Sequence, residues 1–346
     1  MAQKLHFIIG ILFQSLKEHM MKNKTVYIPL DIEYEGKNYL KSRGYKIIIG
    51  EDVEKKSVLE AIKSCDAILT RSNVMIDKEV IQAGEKLKII SKYGVGINNI
   101  DVDFASKQGI YVTITPEANA NVVAEHVMAL MLILCKKIMI MDHALRSGNF
   151  DIRNNLYSED LEMKTLGILG LGRIGKLVAA KAYYGFGMNV IGFDPYQEKE
   201  ASFIDIKQSL HDVLVEADII SLHLPLLPST HHIIGVEEFA KMKESAYLIN
   251  TSRGGTVDEK ALVVALKKKT IAGAGIDVFE KEPPDVQDEL FTLDNVIVTP
   301  HSAALSKDGS VKMAIHAALQ IDQVLSGKEP SWPVQEWDAM NKKILK

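Results

Sequence analysis

Three short stretches gather the residue types that hold anions and move protons. NTSRGG at 250–255 carries Arg253, DVFEKEPP at 277–284 carries Glu282, and TPHSA at 299–303 carries His301. An arginine can fork two hydrogen bonds onto a carboxylate and polarise the oxygen beside it. A histidine titrates near neutrality, so it can accept a hydroxyl proton and later return it. A glutamate beside that ring would fix its orientation and favour the imidazolium that forms. Taken singly, Arg253 could brace a loop, Glu282 could be a solvated surface acid and His301 could order its loop. Their convergence is what would give the set its chemistry: Arg253 on the carboxylate of a 2-hydroxy acid, and His301 on its hydroxyl proton as hydride leaves C2.

Such a hydride needs an acceptor. Residues 166–175 read LGILGLGRIG, with Gly170, Gly172 and Gly175 in a G-x-G-x-x-G pattern after an apolar strand and at the start of an amphipathic helix. Gly170 permits the tight turn, Gly172 lets the backbone approach a pyrophosphate, and Gly175 allows close helix–strand packing. The first amides of the helix, at Arg173 and Ile174, then face the phosphates at the positive end of its dipole. Asp194 follows Gly175 by 19 residues, at the end of the next strand (NVIGFD). An acid there accepts hydrogen bonds from ribose hydroxyls and repels a 2′-phosphate, so NAD is expected over NADP. The blander reading of Asp194 is a strand-end acid that starts the turn before Pro195.

Short apolar runs alternating with amphipathic ones place these motifs. Runs at 25–29, 45–49, 67–70, 87–91 and 111–113 read as buried strands, with helices at 36–42, 77–83 and 102–108 between them. The pattern restarts with strands at 166–169, 189–193, 219–222, 246–250, 271–276 and 296–298, and helices at 174–184, 210–215, 258–268 and 310–325. This alternation implies an α/β protein with two doubly wound parallel sheets, whose last helix is free to return to the first. A long helix at 119–135 is apolar nearly all round over 127–134 and is expected to be buried between domains or subunits. The stretch 146–164 reads as charged and irregular. Among the remaining histidines, His223 would line the cofactor site, His126 would anchor the long helix, and His231 and His232 look solvated.

The chain's 346 residues, 47% hydrophobic and 25% charged, suit two soluble globular domains. A formal net charge of −4 leaves no electrostatic footprint for nucleic acid or an anionic membrane. Two cysteines, Cys65 and Cys135, are too few for a disulfide framework and lack metal-ligand spacing, which points to a reducing, cytoplasmic setting and no metal. The apolar run at 5–13 is too short to span a bilayer, and no small-residue cleavage site follows it, so 1–22 reads as an N-terminal extension. Met20 and Met21 offer an alternative start, and 332–346 reads as a short surface tail.

GILGLGRIG, Asp194, SLHLPLLPST, NTSRGG, DVFEKEPP and TPH stand in the order and spacing of the D-isomer-specific 2-hydroxyacid dehydrogenases. Upstream, KYGVGINNID and TPEANANVVAEHV resemble that family's substrate loop and the start of its interdomain helix, so the resemblance runs from about residue 25 to 327. It implies catalytic roles for Arg253, Glu282 and His301, and a substrate carboxylate bound by the backbone amides of Val95 and Gly96. It further implies that Leu224, Thr251 and Ser252 line the NAD pocket and that Asp277 approaches the nicotinamide side. The implied architecture is a Rossmann NAD domain at 119–301 inserted into a flavodoxin-like substrate-binding domain at 23–118 and 302–346, working as a homodimer on a small 2-hydroxy or 2-keto acid.

Departures from the family pattern bear on the substrate. TPHSAALS lacks the HxG often seen after the histidine. Glu282 stands where the related formate dehydrogenases place glutamine, which disfavours formate. LTRSN at 69–73 resembles a segment of phosphoglycerate dehydrogenases in which positive charge holds the distal phosphate, making Arg71 a candidate phosphate or carboxylate contact. An end at residue 346 leads to the expectation of no C-terminal regulatory domain. The reading is an NAD-dependent D-2-hydroxyacid dehydrogenase, with 3-phosphoglycerate as first substrate. The alternatives are a hydroxypyruvate or glyoxylate reductase and, in a different class, an NAD(H)-sensing corepressor-like binding protein.

Overall fold

The computed structural model describes residues 24–197 and 201–334. The extension at 1–22 and residues 335–346 of the expected surface tail lie outside the described residues. The chain divides into two compact units, one formed by Met1–Asn119 with Ser306–Lys346 and the other by Ala120–Leu305. The expected boundaries at 118/119 and 301/302 lie one and four residues from these.

The first unit is built on strands β1 Thr25–Ile28, β2 Lys46–Ile49, β3 Ala67–Thr70, β4 Ile89–Lys92 and β5 Tyr111–Thr113. They pair in parallel in the order β2-β1-β3-β4-β5, the doubly wound order of flavodoxin. Successive side chains point to opposite faces, and both faces are covered. Tyr27, Ile68, Ile90 and Val112 pack on one side with Val58, Ile62 and Val80. Val26, Ile28, Leu69 and Ile89 pack on the other with Leu40, Met313, Ala317 and Ile321. The helix Lys307–Leu325 thus returns from the far end of the sequence to complete this core. The first residues of the expected surface tail correct that expectation: Trp332 and Val334 pack into the core of this unit, and Pro333 bridges to Thr113, because the tail's apolar side chains bury against β5.

The second unit holds β6 Thr165–Leu169, β7 Asn189–Phe193, β8 Ile204–Ile206, β9 Ile219–Leu222, β10 Tyr247–Asn250, β11 Gly273–Ile276 and β12 Val296–Val298. All are parallel, in the order β12-β11-β10-β9-β6-β7-β8. Counted from β6, this is the Rossmann order with a seventh strand added, and the order reverses between β6 and β9. Both sheets therefore agree with the α/β, doubly wound reading.

The helix Pro116–Cys135 corrects one expectation. It is long and apolar enough to cross a membrane, but most of its apolar residues are buried in the fold. Val127, Leu130, Met131 and Leu134 pack with Leu166, Ile168 and Ile249 of the seven-stranded sheet, inside one unit rather than between subunits. Further elements were not legible in the sequence, among them one strand, two longer helices and the single-turn helix Val236–Phe239. Strand β8 is three residues long, carries Asp205 and occupies the sheet edge, so it offers almost no periodic signal. The helices Lys55–Ile62 and Ile138–Arg146 lie in charged or flanking sequence; the second buries none of its side chains. The helix expected at 174–184 runs as Arg173–Ala180 and then widens into a π-turn at Lys181–Gly185.

Candidate active site

Strand register decides which residues meet at the carboxyl edge of the seven-stranded sheet. Leu169 is level with Phe193 and Leu222, Asn250 with Leu222 and Ile276, and Ile276 with Val298. The residues that follow these strand ends are Gly170, Asp194, His223, Thr251, Asp277 and Thr299. That edge is where open α/β sheets bind their ligands.

Around the switch point the backbone is shaped for close approach. Gly170 has φ +93°, and a Cβ there would fall 2.6 Å from the carbonyl oxygen of His223 and 3.0 Å from the Leu224 side chain. A Cβ on Gly175 would sit 2.2 Å from the Gly170 carbonyl oxygen, so only glycine lets the helix start against this turn. Gly172 is exposed, has open space where a Cβ would point, and caps the helix Arg173–Ala180 without a side chain. The first amides of that helix, at Arg173 and Ile174, are left for an anion. Asp194 accepts from the amides of Leu171 (2.9 Å) and Tyr196 (3.0 Å), which ties the acid directly to the glycine turn.

A dinucleotide fits what these residues leave open. Thr251 Oγ1 is buried with no hydrogen-bond partner among the described residues, and the space beside Gly172, at the start of the helix, is open. When bound, NAD supplies the group that accepts or donates hydride, and the chain contributes the rest. Ser252, expected with Thr251, is committed elsewhere, since its amide and hydroxyl both donate to Asn250 Oδ1. His223 is half-buried with its ring contacting Ser221 Oγ at 2.9 Å, and the loss of water around the ring pushes its pKa down to about 3.

The three candidate catalytic side chains follow adjacent strands. Arg253 opens the turn after β10, which is held by Asn250 Nδ2 and Thr256 Oγ1, both donating to its carbonyl. A Cβ on Gly254 would lie 1.9 Å from the backbone of Phe279, so this glycine brings the Arg253 turn flush against the segment leading to Glu282. Burial lowers the Arg253 guanidinium from its ordinary value and the nearby Glu282 charge opposes that shift. Glu282 Oε1 accepts from the Phe279 amide, and its Oε2 lies 2.7 Å from His301 Nδ1. With Nδ1 held, Nε2 is the nitrogen left to exchange a proton with a ligand.

His301 itself sits at φ +50°, a left-handed conformation uncommon for a residue with a Cβ. Asp277 imposes it. The Asp277 carbonyl accepts from the His301 amide at 2.8 Å, and its carboxylate accepts from the amides of Ser302 (2.8 Å) and Ala303 (3.0 Å) and from Thr299 Oγ1 (2.6 Å). The carboxylate is wholly buried, so what the structure shows of Asp277 is the positioning of the His301 turn. Thr299 spends its one proton on Asp277, hence His126 Nε2, 3.1 Å from Thr299 Oγ1, must be the donor in that contact. His126 thereby pins the long helix to the histidine turn. Sequence reading missed Thr299, whose only signal was its place two residues before His301. Ala303 replaces the glycine of HxG without strain, because its φ is not positive.

Residues 128–303 match the family model for the NAD-binding domain of D-isomer-specific 2-hydroxyacid dehydrogenases. The chain belongs to this family of NAD-dependent oxidoreductases. It is 42% identical over 286 residues to the D-3-phosphoglycerate dehydrogenase of Methanocaldococcus jannaschii, covering 82% of this chain and 54% of that one. It is 40% identical to the glyoxylate reductase of Korarchaeum cryptofilum, covering 80% and 84%. Among solved structures, protein TT0316 of Thermus thermophilus superposes with a TM-score of 0.84 at 33% identity, covering 90% of this chain and 99% of that one. The chain thus spans about half the length of that phosphoglycerate dehydrogenase, but most of the glyoxylate reductase. The family assignment turns the dinucleotide reading of the glycine turn into a property of this chain: it binds NAD.

The first unit carries the remaining candidates at the ends of β3 and β4. The amides of Val95 and Gly96 donate to no acceptor among the described residues, while the neighbouring Gly94 is fixed by three bonds to Thr115. Two donors are thus presented by an anchored turn. Arg71 lies over the Tyr93 ring, its guanidinium carbon 4.7 Å from the centroid. The Tyr93 hydroxyl is in turn held by Glu33 and the Ser310 carbonyl.

Proposed function

We propose that this 2-hydroxyacid dehydrogenase interconverts a D-2-hydroxy acid and its 2-keto acid with NAD, and that 3-phosphoglycerate is its substrate. The contact between His301 Nδ1 and Glu282 Oε2 at 2.7 Å supports the reaction, because it leaves one ring nitrogen free as acid or base with the half-buried Arg253 close enough to feel the Glu282 charge. In this reading Arg253 holds the carboxylate and polarises the C2 oxygen. His301 takes the hydroxyl proton during oxidation and returns it during reduction. An NAD-sensing binding protein would need the glycine turn but no oriented histidine–glutamate pair.

The substrate reading rests on Arg71. Stacked on Tyr93, it keeps its edge donors for a second anion, with only a long 3.5 Å contact to the Asp31 carbonyl among the described residues. Hydroxypyruvate or glyoxylate is the alternative, because those acids need Arg253, Glu282 and His301 but no distal cation. A panel of 2-hydroxy and 2-keto acids followed by NADH absorbance tests both readings. Turnover of 3-phosphoglycerate that Arg71→Ala abolishes, with glyoxylate turnover intact, supports the phosphate contact; equal loss on both acids overturns it.

A cytoplasmic homodimer completes the proposal. Both cysteines are buried free thiols, as a reducing compartment allows. Ile138, Met139, Ile140, Leu145 and Phe150 are exposed within one short segment after the long helix, a density of apolar surface that suits a second copy. Sedimentation of Met139→Glu as a monomer, where the native chain sediments as a dimer, is the expected result.

A further inference from the structure

Lys92 is a lysine with 1% of its surface exposed, at the last position of β4. Its ammonium donates to Ser72 Oγ at 3.0 Å and to Asn99 Oδ1 at 2.9 Å. Asn99, 8% exposed, donates from its amide to the carbonyls of Arg71 (3.0 Å) and Val74 (2.5 Å). One ammonium and one carboxamide therefore join the segment after β3, which bears Arg71, to the segment after β4, which bears Val95 and Gly96. Buried polar groups so fully engaged specify one geometry and rigidify it.

We propose that Lys92 and Asn99 form a buried clamp that sets the spacing between Arg71 and the Val95–Gly96 turn, and so selects acids that carry a second anion at the matching distance. This deepens the substrate reading above and rests on it. Two further observations assign the clamp to the Arg71 side. The Val95–Gly96 turn has its own anchor, since Gly94 exchanges bonds with Thr115. On the Arg71 segment the shortest bond to the Arg71 carbonyl comes from Asn99 Nδ2 at 3.0 Å, against 3.2 Å from Thr70 Oγ1 and 3.5 Å from the Val74 amide within the segment itself, and its guanidinium lies on Tyr93. Loss of the clamp releases Arg71 and leaves the two free amides in place. Lys92 and Asn99 are thus positioning residues that touch no substrate.

The test compares Lys92→Met and Asn99→Leu with the native enzyme on 3-phosphoglycerate and on glyoxylate, with amide exchange over residues 71–76 measured alongside. The expected result is a KM for the phosphorylated acid raised by about 10- to 100-fold, the range expected when a charge-assisted hydrogen bond to the ligand is lost. The kcat on that acid, and both constants on glyoxylate, stay within about threefold, and exchange in 71–76 quickens. Ser72 is exposed, so Ser72→Ala removes one bond of the clamp without a core defect and is expected to give a smaller shift in the same direction if the buried variants do not fold. Parallel KM changes on both acids, a fall in kcat at constant KM, or faster exchange with no kinetic change each overturns the clamp. A native enzyme that does not take the phosphorylated acid overturns the substrate reading, and the clamp with it. A native enzyme that does take it, with unchanged variants, overturns the clamp alone.

Discussion

His301 Nδ1 and Glu282 Oε2 lie 2.7 Å apart although 19 residues separate them in the chain. The pair exists because β11 and β12 are parallel neighbours, with Ile276 level with Val298, and because the turns that follow them fold over the same sheet edge. If His301 is the acid and base, His301→Ala lowers kcat by about 10²–10⁴-fold while NAD affinity is preserved. Glu282→Gln, which keeps a side chain of similar shape without the charge, gives a smaller loss in kcat. Stopped-flow turnover and NADH fluorescence titration separate chemistry from binding; undiminished kcat in His301→Ala removes the assigned role.

Asp277→Asn tests the positioning of that histidine. An amide in place of the carboxylate can accept at one atom only, which strands some of the donors on Thr299, Ser302 and Ala303 in a wholly buried place. Each buried polar group left unmade costs about 1–3 kcal/mol, so the melting temperature drops by several degrees. Turnover is expected to fall with it, since φ +50° at His301 is no longer enforced. A variant with native kcat and lowered stability would confine Asp277 to a folding role.

Asp194→Ala weakens NAD binding and narrows the preference for NAD over NADP. Two effects combine in that variant, loss of the ribose acceptor and loss of the bond from the Leu171 amide. Asp194→Asn keeps a neutral acceptor for Leu171, so it isolates the charge. Kd values for both cofactors by calorimetry decide the matter, and an unaltered ratio in both variants excludes the charge as the source of selectivity.

His223 predicts a pH dependence of stability. Its pKa is about 3 in the fold against 6.5 for a free imidazole, because burial strips the charged ring of water. Below pH 6.5 the unfolded chain therefore takes up a proton that the folded chain refuses. Stability is complete above that pH and declines as pH falls toward 3, by up to about 1.4 kcal/mol per pH unit. Denaturant unfolding between pH 7 and 4.5 should show a shallower decline for His223→Asn than for the native chain. Identical slopes would mean the ring is solvated.

How much was legible in the sequence can be argued from particular elements. Strands β3 and β9 start and stop where their apolar runs do, because a strand buried on both faces needs little beyond a largely apolar run. The edge strand β8 escaped because a three-residue strand with Asp205 at its centre carries no such run. The long helix was correctly read as buried, but its partner was misjudged. Apolarity all round says that a helix is covered, and does not say by what; here the covering surface is the adjacent sheet.

The amino-acid order alone determined the two α/β units and the glycine turn with its acid, and it singled out Arg253, Glu282 and His301 as the candidates proposed above. These follow from periodicity, turn chemistry and motif spacing, which are local properties. Tertiary structure alone decided that Asp277 folds the histidine turn, that His126 reaches it through Thr299, and that Lys92 and Asn99 join two strand ends. Each of these is a polar side chain whose partner is fixed only once parallel strands align. No local pattern encodes such a pairing, because what makes it favourable is the exclusion of water around groups the packed sheet brings together.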